Sequence, residues 1–195
     1  GSCHILRANG HTVLLDCGMI QGRREEIERN RHAFPFKPNE IDAVVLSHGH
    51  IDHSGRIPLL VKQSYRGPIY AQNATADLCE ILLEDSASLQ ERDAEYENKW
   101  RKRKHKPLIE PLYTVADAQA ALERLHGMRY RQKREILPGI QIRFQDAGHI
   151  LGSSSVEIWL SEQGKQQKVV FSGDLGQYDT PIINDPEVAI QRIGR

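Results

Sequence analysis

Apolar positions along the chain recur with two different periods, and the changes of period mark out its elements. "HTVLLDCG" holds a short apolar run, Val13–Asp16, closed by Gly18, which predicts a buried strand ending in a turn. "IDAVVLS", Ile41–Ser47, predicts a second strand, rich in β-branched residues. "SGRIPLLVKQSY" has a helical pattern, and "GPIYA" returns to a short strand. Asn73 is placed to cap a long helix through "ATADLCEILLEDSASLQERDAEYENKWRKRK", where Leu78, Ile81, Leu82 and Leu89 recur at helical spacing. Thr114 and Asp117 make a capping-box pattern that opens a helix over "VADAQAALERLHGM". "IQIRFQDAG", "SSVEIWL" and "KVVFSGD" then read as strands. Strands, then helices, then strands again indicate an α/β layered domain, with no internal repeat or low-complexity tract.

Composition narrows the class. The 195 residues suffice for one domain with a sizeable core, and 39% hydrophobic with 27% charged residues is ordinary for a globular chain. Lysine plus arginine (26) equals aspartate plus glutamate (26), so any contact with nucleic acid must come from local patches. No apolar run reaches the ~20 residues that cross a bilayer, and "GSCHILRANG" is not a signal peptide, so no membrane partner is expected. Cys3, Cys17 and Cys79 are odd in number and lack a CxxC spacing, which fits reduced thiols and a cytoplasmic location. Cys17 and Cys79 sit in apolar surroundings and are expected in the core, as is Trp159, which lies in a strand and reads as core rather than as a base-stacking platform. The chain opens without a methionine, and the expectation is that residues are missing upstream.

The chemistry concentrates in "LSHGHIDHSGRIPLL", where His48, His50, Asp52 and His53 fall within six residues. On an extended segment His48, His50 and Asp52 leave the backbone on one side, while a bend sends His53 elsewhere. Imidazole nitrogen with carboxylate oxygen suits zinc, and manganese or iron less well. The spacing serves two ions, one on His48 and His50 and the other on Asp52 and His53. Each ion would then be under-coordinated, so further ligands are sought at other strand ends. His149 in "DAGHILGSS" and Asp174 in "VVFSGDLG" each follow a strand beside glycines, and a carboxylate at Asp174 could bridge two cations.

"SHGHIDHSGRIPLL", "AGHILGS" and "FSGDLG" resemble successive motifs of the metallo-β-lactamase fold, and Asp16 in "LLDCG" matches its first motif. "GSCHIL", "DLGQYDTPIINDP" and the helical stretch ending "KPLIEPLYTVADAQAAL" resemble the β-CASP branch of nucleic-acid hydrolases, particularly bacterial RNA-specific metallo-hydrolases. The resemblance implies an incomplete αββα sandwich over 1–195, with a helical insertion around 73–130. It implies that His48, His50 and His149 bind one zinc and that Asp52 and His53 bind a second. Asp174 would bridge them, and Asp16 would support the metal loops without being a ligand. It further implies an RNA substrate and attack by a dizinc-activated hydroxide that Asp52 orients; a homodimer is a separate expectation that no residue of the sequence marks.

The chain departs from that family pattern. After Asp174 it has no histidine, whereas the β-CASP branch uses a late one for the second metal. The cap domain, the last strands and a first strand before "GSCHIL" are also absent, so the expectation is a piece of a larger enzyme. Two alternatives remain open: a thioester or lactone hydrolase on the same fold, and a non-catalytic module with a partial metal site. "KWRKRKHK", Lys99–Lys106, has six basic residues in eight, and with "RYRQKRE" it reads as solvated surface charge rather than an RNA contact. His4, His11, His32, His105 and His126 fit no motif.

Overall fold

Alternation within the apolar runs decides how the layers stack. In the computed structural model, which describes residues 1–162 and 164–187, Val13 and Leu15 face one way while Leu14 between them faces the other. Ala43 and Val45 repeat the pattern around Val44. These residues lie on β2 (His11–Leu15) and β3 (Ala43–Val45), which are parallel, with β4 (Ile69–Gln72) and β5 (Leu125–Met128) continuing the parallel set. β1 (His4–Ala8) closes the far edge antiparallel to β2. A parallel sheet buried on both faces needs apolar side chains on both, as these uninterrupted runs supply.

The second sheet runs β6 (Arg134–Leu137), β7 (Ile140–Asp146), β8 (Ser154–Glu162) and β9 (Lys165–Phe171), antiparallel throughout. Ile140, Ile142, Phe144, Val156 and Ile158 point at Val13, Leu15, Ala43 and Val45 of the first sheet and form the inter-sheet core. Each such side chain, fully buried, contributes about 1.5–3 kcal/mol. On its other face the first sheet carries α3 (Ile57–Lys62), α4 (Asn73–Arg103) and α5 (Val115–Leu122), through Leu60, Cys79, Leu83 and Ala118 packed with Leu14, Val44 and Ile69. α1 (Arg24–Glu28) and α2 (Ile51–Ser54) are short. Among the described residues the helices lie with the first sheet, which makes three layers of the four expected. Residue 163 and residues 188–195 of the expected 1–195 domain lie outside the described residues. Among the described residues no helix is long and apolar enough to cross a membrane.

Several local expectations change. Gln72, not Asn73, caps α4, its side chain accepting from the Ala74 amide at 2.6 Å. The Thr114–Asp117 capping box forms as expected. The helix it opens ends at Leu122, because "LHGM" enters the ladder beside β4 and buries Met128 between the sheets. Helix and strand thus share the stretch read as a helical insertion. Trp159 is half-buried rather than in the core, with Lys133 and Arg143 over its ring at 4.1 and 5.1 Å.

Candidate metal centre

The histidine cluster begins where β3 ends. Leu46 still donates to Tyr70 O, but the next amide, Ser47 N, turns to the carboxylate of Asp16 at 2.7 Å. Asp16 follows β2 and takes a left-handed backbone (φ 58°), which Asp tolerates better than most residues because its short side chain bonds locally. The Leu15–Val45 register sets these two strand ends side by side. His50 precedes α2 as its N-cap, and Asp52 and His53 lie within that helix. Asp52 therefore does not continue an extended line with His48 and His50; the helical turn carries it and His53 to a second position. Gly18 permits this, since a Cβ there would sit 1.6 Å from the Asp52 carbonyl oxygen.

The other two donors arrive from the second sheet. His149 lies in the 147–153 loop between β7 and β8, which turns at Gly148 (φ 63°) and Gly152 (φ 79°). Ser153 Oγ accepts from the amides of His149 and Ile150 at 3.0 and 3.1 Å and holds the loop. Asp174 follows β9. Its loop lies on the His149 loop, with the Gly176 amide donating to Ala147 O at 2.8 Å. The Ser154 amide donates to Ser47 O at 2.9 Å, joining the two sheets beside the cluster.

All six expected ligands come together. One ligand atom from each of His48, His50, His149 and Asp174 lies within 4.8 Å of the others. His48 Nε2 is 3.1 Å from His50 Nδ1, which is 3.3 Å from His149 Nε2. Asp174 Oδ2 stands 3.7 Å from His149 Nε2 and 4.0 Å from His48 Nε2. Ligands about 2.0–2.1 Å from a tetrahedral zinc are roughly 3.4 Å apart, so this donor set fits such an ion. Asp174 Oδ1 faces the other way, 3.3 Å from His53 Nε2, which lies 3.7 Å from Asp52 Oδ2. One carboxylate thus stands between a three-histidine position and an Asp52–His53 position.

Behind these donors, Asp16 is fully buried. It accepts from Ser47 N, from Ser47 Oγ at 2.8 Å, and from His53 Nδ1 at 2.7 Å. Ser47 Oγ also meets His48 Nδ1 at 3.0 Å. With its proton given to Asp16, the hydroxyl accepts from His48 Nδ1–H. Both imidazoles then carry their protons on Nδ1 and turn bare Nε2 atoms toward the cluster. Burial and the neighbouring histidines push the His48 imidazole down to about 3, and burial with His149 lowers that of His50, so both stay neutral. Burial also opposes charge on His53, but the Asp16 hydrogen bond and the Asp16, Asp174 and Asp52 carboxylates outweigh it and raise its value. Neither Ser47 nor Ser153 had a sequence signal beyond adjacency to a ligand loop. His4, assigned no role from sequence, lies against Phe171 (ring centroids 5.4 Å) and lines a groove of roughly 600 Å³ beside His53 and Asp174. A cavity of roughly 630 Å³ lies along α4 and shares no residue with the cluster.

A family model of the metallo-beta-lactamase superfamily matches residues 1–193. Ribonuclease TTHA0252 of Thermus thermophilus is 39% identical over 188 residues, which cover 96% of this chain and 38% of that protein. An RNase J-like protein of Methanocaldococcus jannaschii is 32% identical, covering 90% of this chain and 34% of its own length. Transcription termination factor FttA of Methanosarcina mazei is 31% identical, covering 96% and 27%. The chain thus spans well under half the length of these relatives. Among solved structures, a metallo-beta-lactamase from Cronobacter sakazakii with a HARLDQ motif has a TM-score of 0.54 at 18% identity. It covers 94% of this chain and 56% of that one, a likeness of fold.

Proposed function

This chain belongs to the metallo-beta-lactamase superfamily, and from that premise we propose that it is the metal-binding part of a divalent-metal-dependent phosphodiester hydrolase acting on RNA, of the β-CASP branch. The observation that carries the reading is the two-faced placement of Asp174, one oxygen toward His48 and His149 and the other toward His53. Support for RNA comes from the 39%-identical relative named a ribonuclease. His48, His50 and His149 would hold one cation and Asp52 and His53 the other, with the Asp174 carboxylate facing both positions. Zinc is the ion this imidazole-rich set favours, with manganese or iron suiting it less. Bound there, a cation pair supplies Lewis acidity toward phosphoryl oxygens and a nucleophilic water at neutral pH.

The chain's own groups do the rest. Asp52 and Asp174 keep 41% and 45% of their side-chain surface exposed, so the cluster opens to solvent on its acidic side. Asp52 accepts the proton of the attacking water and aims its oxygen at phosphorus. As that P–O bond forms, the bond to the leaving ribose oxygen breaks, and that oxygen departs as a hydroxyl with a proton taken from solvent water. The groove past His4 and Phe171 is the path for the strand. The whole of 1–195 acts as one domain of a cytoplasmic enzyme.

The test is cleavage of end-labelled RNA by the zinc-loaded full-length enzyme of which this chain is proposed to be a part, beside a thioester substrate. RNA cleavage that EDTA stops, and that His50→Ala or Asp174→Ala reduces at least a hundredfold with unchanged circular dichroism, is expected. Thioester turnover without RNA cleavage would move the site to the other chemistry. Activity unchanged in either variant would reject the site.

A further inference from the structure

The outward face of α4 carries an apolar stripe that, among the described residues, meets only one recorded ring contact, Lys106 over Trp100 at 4.6 Å. Ile81, Leu89, Tyr96 and Trp100 are 69%, 47%, 79% and 44% exposed. At 3.6 residues per turn they fall within roughly 100° of arc, away from the buried Cys79, Leu83 and Ala87. Asp77, Asp85, Arg92 and Lys99 are exposed along the same stripe. Among the described residues none of these four forms an ion pair. Asp85 and Arg92 cannot pair with each other, being seven residues and about 10 Å apart along the axis.

We propose that this stripe is a symmetric interface, on which α4 of a second copy of this chain lies antiparallel. With the dyad between Ser88 and Leu89, residue i faces residue 177 − i of the copy. Asp85 then meets Arg92 of the copy, Ile81 meets Tyr96, and the two Leu89 side chains meet near the axis. Asp77 comes beside Lys99 and Trp100. Each pairing occurs twice, as an isologous contact requires. Charge decides the occupant and its direction. A parallel copy would set Asp85 against Asp85 and Arg92 against Arg92. RNA would suit the basic end of the stripe but is repelled by Asp77 and Asp85. The antiparallel copy satisfies both ends.

Sedimentation equilibrium of the intact chain tests this. A dimer is expected, and Asp85→Arg or Arg92→Asp alone should raise its dissociation constant at least tenfold. The decisive arm mixes the two variants. Each repels itself, yet the mixed pair sets the introduced guanidinium against the introduced carboxylate and the native Arg92 against the native Asp85, so a heterodimer should return. In a Cys3→Ser background, Leu89→Cys should cross-link two copies on oxidation. A monomer at all concentrations, a dimer indifferent to Asp85→Arg, or a mixture that fails to associate would overturn the proposal. A monomer whose RNA affinity falls with Arg92→Asp would assign the face to RNA instead.

Discussion

Asp16 is a buried carboxylate whose acceptor capacity is taken up by three donors, two from Ser47 and one from His53. Asp16→Asn keeps the size and the tolerance of a left-handed backbone, but it puts an NH2 where an acceptor stood. The Ser47–His48 and His53 hydrogen bonds then lose their direction. Zinc affinity, read by competition with a chromophoric chelator, should fall about 10–100-fold with the fold retained. Unchanged affinity would leave Asp16 as a turn-former only. What the sequence disclosed at this scale follows from spacing. His48, His50, Asp52 and His53 announce themselves because four donors crowd into six residues. His149 and Asp174 became specific only through the motifs around them. Ser47 was invisible, because its part exists only once the parallel register brings the ends of β2 and β3 together.

Among the elements, long periodic runs were readable and short ones were not. α4 and β7 through β9 follow their patterns closely, whereas the helical pattern of α5 runs on through the residues of β5, and the alternation of His48, His50 and Asp52 suggests extended chain where α2 forms. In both cases a tertiary demand decided. A ladder beside β4 claimed "LHGM", and the amide of Cys17 bonding to His53 O fixed the turn that carries His53. β8 also holds an element-scale device in Glu157, almost fully buried and ion-paired to Arg143 on β7 and Lys168 on β9. Burial works against its charge, but the hydrogen bonds and charges of those two cations hold the carboxyl below its ordinary value. A depressed folded value means that the stabilisation is present above the unfolded value of 4.5 and is lost as pH falls through the lower folded one. Glu157→Gln should therefore cost about 2 kcal/mol at pH 7 in urea unfolding, with the gap to the parent closing in acid. A gap that persists at pH 2 would assign the loss to packing.

Across the molecule, the six donors come from both sheets: His48, His50, Asp52 and His53 from the end of the first, His149 and Asp174 from the second. An ion held by both sets resists their separation. At zinc about 1,000-fold above its dissociation constant, linkage adds about 4 kcal/mol, an upward Tm shift on the order of 10 °C. Differential scanning fluorimetry with zinc and with EDTA measures it, and no shift would mean that the two sets do not share an ion. Elemental analysis adds the count. The three-histidine position has four donors including Asp174, and the other has three, so the second ion should be lost first on dialysis.

The Gly176–Ala147 hydrogen bond has a consequence for how such a protein gives up a metal. Because it fastens the Asp174 loop to the His149 loop, the second sheet offers its donors as one jaw rather than two loose fingers. Stripping the ion should leave that jaw whole, with the Ser154–Ser47 bond and the packed inter-sheet core holding it opposite the other donors, so the emptied centre can take up the next cation without being rebuilt.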